Sequence, residues 1–255
     1  MSLLQLGNVT KNFGGLSAVG GLSFQLDEGI ILGLIGPNGA GKTTVFNLIT
    51  GIYRPDEGDI FFNGRSLLRL STHRRVLLGI ARTFQTIRLF QNLSVLENVL
   101  AGCHCRLKAG VLSSFFHLPR QRREELEALK RAQDALALVG LGHRAEQVAK
   151  NLSYGNQRLL EIARAVATGP RLLILDEPAG GMNEQETTQL ISLIKKIRGM
   201  GVTVMLIEHD MTLVMKVCER IVVMEYGRKI AEGMPDEIRR DQRVVEAYLG
   251  TEEEY

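Results

Sequence analysis

The sequence predicts an α/β fold: a mainly parallel sheet covered by helices, interrupted by an inserted helical lobe. Three observations carry that prediction. Apolar runs of strand length alternate with helical stretches toward both ends of the chain. Helical periodicity dominates the middle third. The glycine-rich turn Gly36-Pro37-Asn38-Gly39-Ala40-Gly41-Lys42-Thr43-Thr44 stands between an apolar run and a helical stretch.

The elements follow in order. Residues 3–35 read as strands. Leu4 and Leu6, then Leu22, Phe24 and Leu26, alternate with other positions, and Asp27-Glu28-Gly29 marks a turn. Residues 30–35 form a continuous apolar run, the pattern of a strand buried on both faces. Residues 43–50 read as a helix, 55–58 as a turn and 59–62 as a short strand. Asn63-Gly64 is a hairpin signal, because both residues tolerate positive φ. Residues 95–100, 121–139 and 153–167 read as helices, the second with Leu126, Leu129, Ala132 and Leu136 at helical spacing. From Arg171 the alternation resumes: strand 172–176, helix 184–198, strand 202–207, helix 211–218, strand 221–224. The helical middle, about residues 86–165, is expected as a lobe inserted between about 1–85 and 166–255 of one domain.

The bulk properties exclude several classes. A chain of 255 residues, 45% hydrophobic and 23% charged, is an ordinary globular domain. A net charge of +3 is too weak to indicate a nucleic-acid binder by itself, and no nucleic-acid partner is expected. No apolar run approaches the roughly 18 residues a membrane helix needs. The start, MSLLQLGNVTKNF, lacks a basic segment followed by an apolar one, so no signal peptide is expected. Cys103, Cys105 and Cys218 are too few for a disulfide framework and fit a reducing cytosol. Cys103-His104-Cys105 is spaced too tightly for a zinc site and lacks a second pair. Small side chains on a partly buried helix are expected there instead.

Residues 36–44 match G-x-x-x-x-G-K-[ST], in the strand-to-helix context that gives the motif meaning. Glycines let the backbone N–H groups of Asn38, Gly39, Ala40, Gly41 and their neighbours turn toward phosphate oxygens. The helix N-terminus adds dipole and free donors around Thr43 and Thr44. Lys42 is expected on the β- and γ-phosphates, and Thr43 on Mg²⁺. The run 172–175 ends in Asp176-Glu177, two acids at the C-terminal edge of a buried strand. Asp176 is expected to hold Mg²⁺ and Glu177 to polarise an attacking water. Positioning and charge stabilisation are most of what phosphoryl hydrolysis requires.

With those residues in place, Leu152-Ser153-Tyr154-Gly155-Asn156-Gln157 resembles the L-S-G-G-Q signature of ATP-binding cassette (ABC) ATPases, with Tyr third and Asn fifth. Residues 36–44 are similar to that family's Walker A, Leu172–Glu177 to Walker B, Gln85 in Arg82-Thr83-Phe84-Gln85 to its Q-loop glutamine, and His209 to its switch histidine. Five motifs in family order, over about residues 3–250, make the resemblance specific. It implies a P-loop NTPase core of the RecA type, an antiparallel β subdomain and an inserted α-helical subdomain. It implies ATP and Mg²⁺, the latter on Thr43, Gln85 and Asp176, with Glu177, His209 and Gln85 catalytic. It places Phe13 where an aromatic stacks on adenine, although a strand Phe in a core reads nearly as well. It also implies a head-to-tail dimer, in which Ser153 and Gly155 meet the γ-phosphate held by the other cassette. Where the family often ends its next loop in Leu-Asp, this chain has Met182-Asn183.

The residues 11–19, 82–90, 151–155 and 247–250 resemble the ATPase subunits of branched-chain amino acid importers, the Liv type, and the 107–120 insertion is typical of them. That resemblance implies a second, different cassette, two permeases and, indirectly, a periplasmic binding protein. It implies a peripheral place on the cytoplasmic face of a prokaryotic inner membrane. Urea and short-amide importers, lipopolysaccharide-type export ATPases and, more remotely, soluble cassettes of repair or translation stay open. Leu89 and Phe90 are candidate anchors for a permease helix, with inter-lobe packing as the alternative. His73-Arg74-Arg75 reads as a solvated helix face; Arg120-Gln121-Arg122-Arg123 is open between that and a lipid-headgroup contact.

Overall fold

A computed structural model of the chain describes residues 2–103 and 119–249. It opens on an antiparallel pair, β1 (Ser2–Phe13) and β2 (Leu16–Asp27). Leu6 and Val9 lie three apart in β1, a spacing that would place them on opposite faces. A register shift at Asn8, left-handed at φ 49°, returns Val9 to the core. β3 (Ile31–Ile35) and α1 (Lys42–Thr50) follow. β4 (Glu57–Phe62) and β5 (Arg65–Ser66) are joined by Asn63-Gly64, with φ of 50° and 72°, so the hairpin signal holds. These strands make an antiparallel sheet in the order β2-β1-β4-β5.

Next come α2 (Thr72–Leu77), β6 (Ile80–Arg82), α3 (Val95–Cys103), α4 (Pro119–Leu138) and α5 (Tyr154–Ala167). The chain continues through β7 (Leu172–Asp176), α6 (Glu184–Gly199), β8 (Thr203–Ile207), α7 (Met211–Val217), β9 (Arg220–Glu225), β10 (Arg228–Gly233), α8 (Pro235–Ile238) and α9 (Gln242–Leu249). The second sheet has the order β10-β9-β3-β8-β7-β6, parallel throughout except at β10. Its strands send alternate residues to two cores. Leu32, Leu34, Ile174 and Met205 join the antiparallel sheet and Phe46 of α1. Ile35, Leu173, Leu175 and Val204 join Ile162 of α5, Leu190 of α6 and Val214 of α7. Burial on both faces is why these strands read as unbroken apolar runs.

α3, α4 and α5 pack on one another. The buried stripe of α4 is Ala128, Ala132, Ala135 and Leu136; Leu126, expected on it, lies off its phase and is 66% exposed. A larger correction concerns Arg75, expected on a solvated face and found 2% exposed. Its guanidinium donates to the carbonyls of Leu48 and Ile49 at the end of α1, and to those of Leu67 and Leu70. Orphan carbonyls at a helix C-terminus recruit such a cation. Cys103 is buried, with its Sγ near the Ala128 and Ala167 carbonyls; His104, Cys105, residues 107–118 of the insertion and Gly250 lie outside the described residues.

Candidate nucleotide-binding site

β3, β8, β7 and β6 run side by side in one direction, so the loops that leave them emerge at one edge. Register pairs Leu34 with Ile207, and Ile207 with Asp176. The loop at 36–41 therefore stands level with Glu208-His209, Glu177 and Thr83–Gln85. Open α/β sheets bind ligands at this edge.

The cradle is held in shape by its glycines. Gly39 and Gly41 have φ of 79° and 94°, and a Cβ on Gly41 would run into the Ala18 carbonyl oxygen. Lys42 is buried, and its Nζ donates to the carbonyls of Gly36 (2.7 Å) and Pro37 (2.9 Å). Burial draws its pKa down, against the pull of Glu177 and Asp176. A cavity of about 430 Å³ opens in front, lined by residues 38–44, Leu16, Ser17, Ala18, Gln85, Glu177 and Tyr226.

Across the cavity stands Glu177, while Asp176, next to it at the end of β7, and His209 lie off the lining. Asp176 is 3% exposed, and its carboxyl is pushed up to about 6, first by burial and then by the Glu177 carboxylate. Its backbone N–H donates to Thr83 Oγ1 at 3.2 Å. Glu177 sits in the left-handed region at φ 44°, pinned by its N–H on the Ile207 carbonyl (2.8 Å). Such a conformation costs on the order of 1 kcal/mol and gathers at functional sites. One Glu177 oxygen accepts from Gln85 Nε2 at 2.9 Å, and the other lies 3.8 Å from His209 Nδ1. The oxygens of Thr43, Gln85 and Asp176 are the hard donors Mg²⁺ prefers, and a buried acid that resists ionisation is one a cation would stabilise.

This arrangement has a consequence for stability. A carboxyl with a folded pKa near 6 instead of 3.8 keeps a proton that the unfolded chain has released. Stability therefore falls as pH rises from about 4 to 6, and above 6 the penalty is full, at most on the order of 3 kcal/mol. Asp176→Asn is expected to raise the melting temperature of the nucleotide- and metal-free chain by several degrees at pH 7.5 and to flatten its pH dependence between 4 and 6. Thermal unfolding across that range checks it; an unchanged or lower melting temperature at pH 7.5 contradicts it.

Residues 19–180 match the ABC transporter family, and residues 228–254 match a family of branched-chain amino acid ATP-binding cassette transporters. The chain belongs to the ABC transporter family. It is 47% identical over 249 residues to the high-affinity branched-chain amino acid transport ATP-binding protein LivG of Salmonella typhimurium, which covers 97% of this chain and 98% of the relative. A solved ABC transporter cassette in its ADP conformation is 33% identical, with a TM-score of 0.86 over 98% of this chain and 99% of that one. A dimeric cassette in a post-hydrolysis state bound to ADP and Pi is 26% identical, with a TM-score of 0.77 over 91% of this chain and 98% of its own.

Within this cassette, Ser153 and Gly155 do not line the cavity that holds Lys42. Ser153 is the exposed N-cap of α5, its Oγ accepting from Asn156 N at 3.4 Å. Gly155 has a reason inside its own chain: a Cβ there would run into the Glu186 carboxylate. Glu186 forms a capping box with Asn183, each taking the other's backbone N–H at 2.9 and 3.0 Å. Asn caps a helix as well as Asp does, so the lost charge leaves this part of the cassette intact. Phe13 also stays off the cavity lining; its half-exposed ring meets Tyr53 edge-on at 5.1 Å. Three supporting residues escaped the sequence reading. Buried Glu208 accepts from Ala179 N (2.9 Å) and His209 N (3.2 Å), fixing the loops on both sides of the site. Buried Arg158 of α5 donates to the carbonyls of Phe84 (2.6 Å) and Gln85 (2.8 Å). Tyr226, exposed and left-handed at φ 45°, lines the cavity mouth.

Proposed function

We propose that this cassette binds and hydrolyses ATP to power import of branched-chain amino acids. The observation that carries it is the meeting of Lys42, Gln85 and Glu177 around one cavity at one sheet edge, with buried Asp176 next to Glu177 at the end of β7. The backbone of residues 38–44 and the Lys42 ammonium hold the phosphates. Thr43, Asp176 and Gln85 would hold Mg²⁺, which would neutralise charge on phosphate oxygens. Glu177 orients and deprotonates the attacking water, with Gln85 fixing the carboxylate and His209 facing the γ-phosphate from the next loop. Phe13, half-exposed beside Tyr53, would stack on the adenine.

Ser153 and Gly155 lie off their own chain's cavity, which supports a head-to-tail pair in which they close the neighbour's site. About residues 1–85 and 166–255 form the catalytic core with its β subdomain, and about 86–165 the helical subdomain. In this reading permease subunits form the path and the cassette sits at the membrane's cytoplasmic face; no helix of the described residues is long and apolar enough to cross a membrane. An apolar groove of about 350 Å³, lined by Arg82, Phe84, Phe90, Ala101, Gly102 and Arg164 among others, suits a permease helix. Phe90 faces that groove, whereas Leu89 packs against the core.

Purification of the tagged chain from its own membranes in mild detergent tests this reading. Two distinct permeases, a second cassette and uptake of leucine, isoleucine or valine with their binding protein are expected. Two copies of this chain on one permease type point to an exporter, and uptake of urea or an amide to a sister importer. No membrane partner contradicts a transport role.

A further inference from the structure

Tyr154 is one of two positions, with Asn156, at which this chain departs from the family's signature pattern, and it is placed where that departure has consequences. It is 48% exposed and stands beside Ser153 at the start of α5. Its ring lies over Gly181: a Cβ there would come within 2.9 Å of the Tyr154 ring, and Gly181 is left-handed at φ 75°. Its hydroxyl accepts from Arg158 Nη2 at 3.3 Å, and the guanidinium carbon lies 5.9 Å from the ring centre.

Both contacts lead to the same carboxylate. Gly181 belongs to the turn that leaves Glu177, in which Gly180 N–H donates to the Glu177 carbonyl at 3.1 Å. Arg158 grips the Phe84 and Gln85 carbonyls, and Gln85 Nε2 in turn holds the Glu177 carboxylate at 2.9 Å. One aromatic ring thus touches two segments that lead to Glu177 and stays half-exposed beside Ser153.

We infer that Tyr154 is a positioning residue that couples engagement of this chain's signature turn by a neighbouring cassette to the placement of this chain's own Gln85 and Glu177. This rests on the head-to-tail reading given above. A neighbour's nucleotide that draws on Ser153 draws on the first turn of α5, and the ring carries that shift to Gly181 and Arg158. A signature with glycine third has no side chain with which to do so.

The test is the ATPase kinetics of the full chain purified with its membrane partners. Tyr154→Ala is expected to lower kcat by roughly 10–100-fold with KM for ATP changed less than about twofold, the pattern of an interaction that matters after binding. Tyr154→Phe keeps the ring on Gly181 and is expected to recover kcat to within about threefold of wild type. If the Ala variant does not assemble, Tyr154→Leu is read for the same split. Wild-type kcat in the truncated variant overturns the inference, as does a loss seen in KM alone, or a Phe variant as poor as Ala. Ser153→Arg in the same preparation tests the head-to-tail reading separately: it is expected to impair hydrolysis at the neighbour's site with ATP affinity of this chain kept. A poor Ser153→Arg beside a normal Tyr154→Ala sinks only the inference; a normal Ser153→Arg sinks the head-to-tail reading.

Discussion

Glu177→Gln is expected to leave ATP bound and to cut turnover by roughly 10²–10⁴-fold, the usual scale for a lost general base. The amide keeps the size of the side chain and retains an oxygen for the Gln85 Nε2 hydrogen bond, so the loop after β7 should stay where it is. Only the charge and the basic oxygen are lost. Binding should not suffer, because the phosphates belong to the cradle and Lys42. The Glu177 carboxylate is also the second largest cause holding the Asp176 carboxyl up near 6. Without it Asp176 ionises more readily, which favours a divalent cation. Equilibrium binding of a fluorescent ATP analogue and phosphate release in the assembled complex check the two halves. Turnover within a few-fold of wild type would move the base to another group. His209 is the nearest alternative, with Nδ1 3.8 Å from Glu177.

The legible parts of this fold were those with a short-range physical signature. The cradle declared itself because glycines, lysine and threonine must follow one another there. β7 and β8 declared themselves because strands covered on both faces carry unbroken apolar runs, and the strand read at 172–176 has the same bounds in the structure. The helix read at 153–167 was visible as an amphipathic run, and the structure starts it one residue later, at Tyr154, with Ser153 as its cap. Other parts are decided by partners far away in the chain. β6 is three residues long, too short for any period, and is a strand only because Ile80, Ala81 and Arg82 find Leu172, Leu173 and Ile174. Arg75 reads as a surface charge until the end of α1 supplies carbonyls for it. The family pattern says nothing of Glu186, which caps α6 with Asn183 and stands where a Cβ on Gly155 would be. The capping box itself is local: Asn183-Glu184-Gln185-Glu186 carries both of its residues at the start of α6.

Arg158→Ala carries the largest expected loss of stability, about 3–5 kcal/mol, the range for removing one partner of a buried ion pair. Arg158 and Glu161 are each 1% exposed and lie 3.2 Å apart on successive turns of α5. Burial already pushes the Glu161 carboxyl up, with Arg158 and the Arg88 backbone N–H among the groups holding it down. Without Arg158, Glu161 keeps the Arg88 backbone N–H at 3.3 Å and the longer ion pair with Arg164 at 3.9 Å. It must then take up a proton or stay charged in a core, and the Phe84 and Gln85 carbonyls lose their donors. A melting temperature lower by about 10 °C is expected. The double variant Arg158→Met, Glu161→Leu separates packing from positioning. Replacing both charges with apolar groups of similar size should restore most of the stability, since buried pairs often do little better than apolar substitutes. It cannot restore the bonds to Phe84 and Gln85. If those bonds hold Gln85 against Glu177, the double variant will melt near wild type and still hydrolyse ATP slowly. A double variant that recovers both properties would show that α5 supports the site by packing alone.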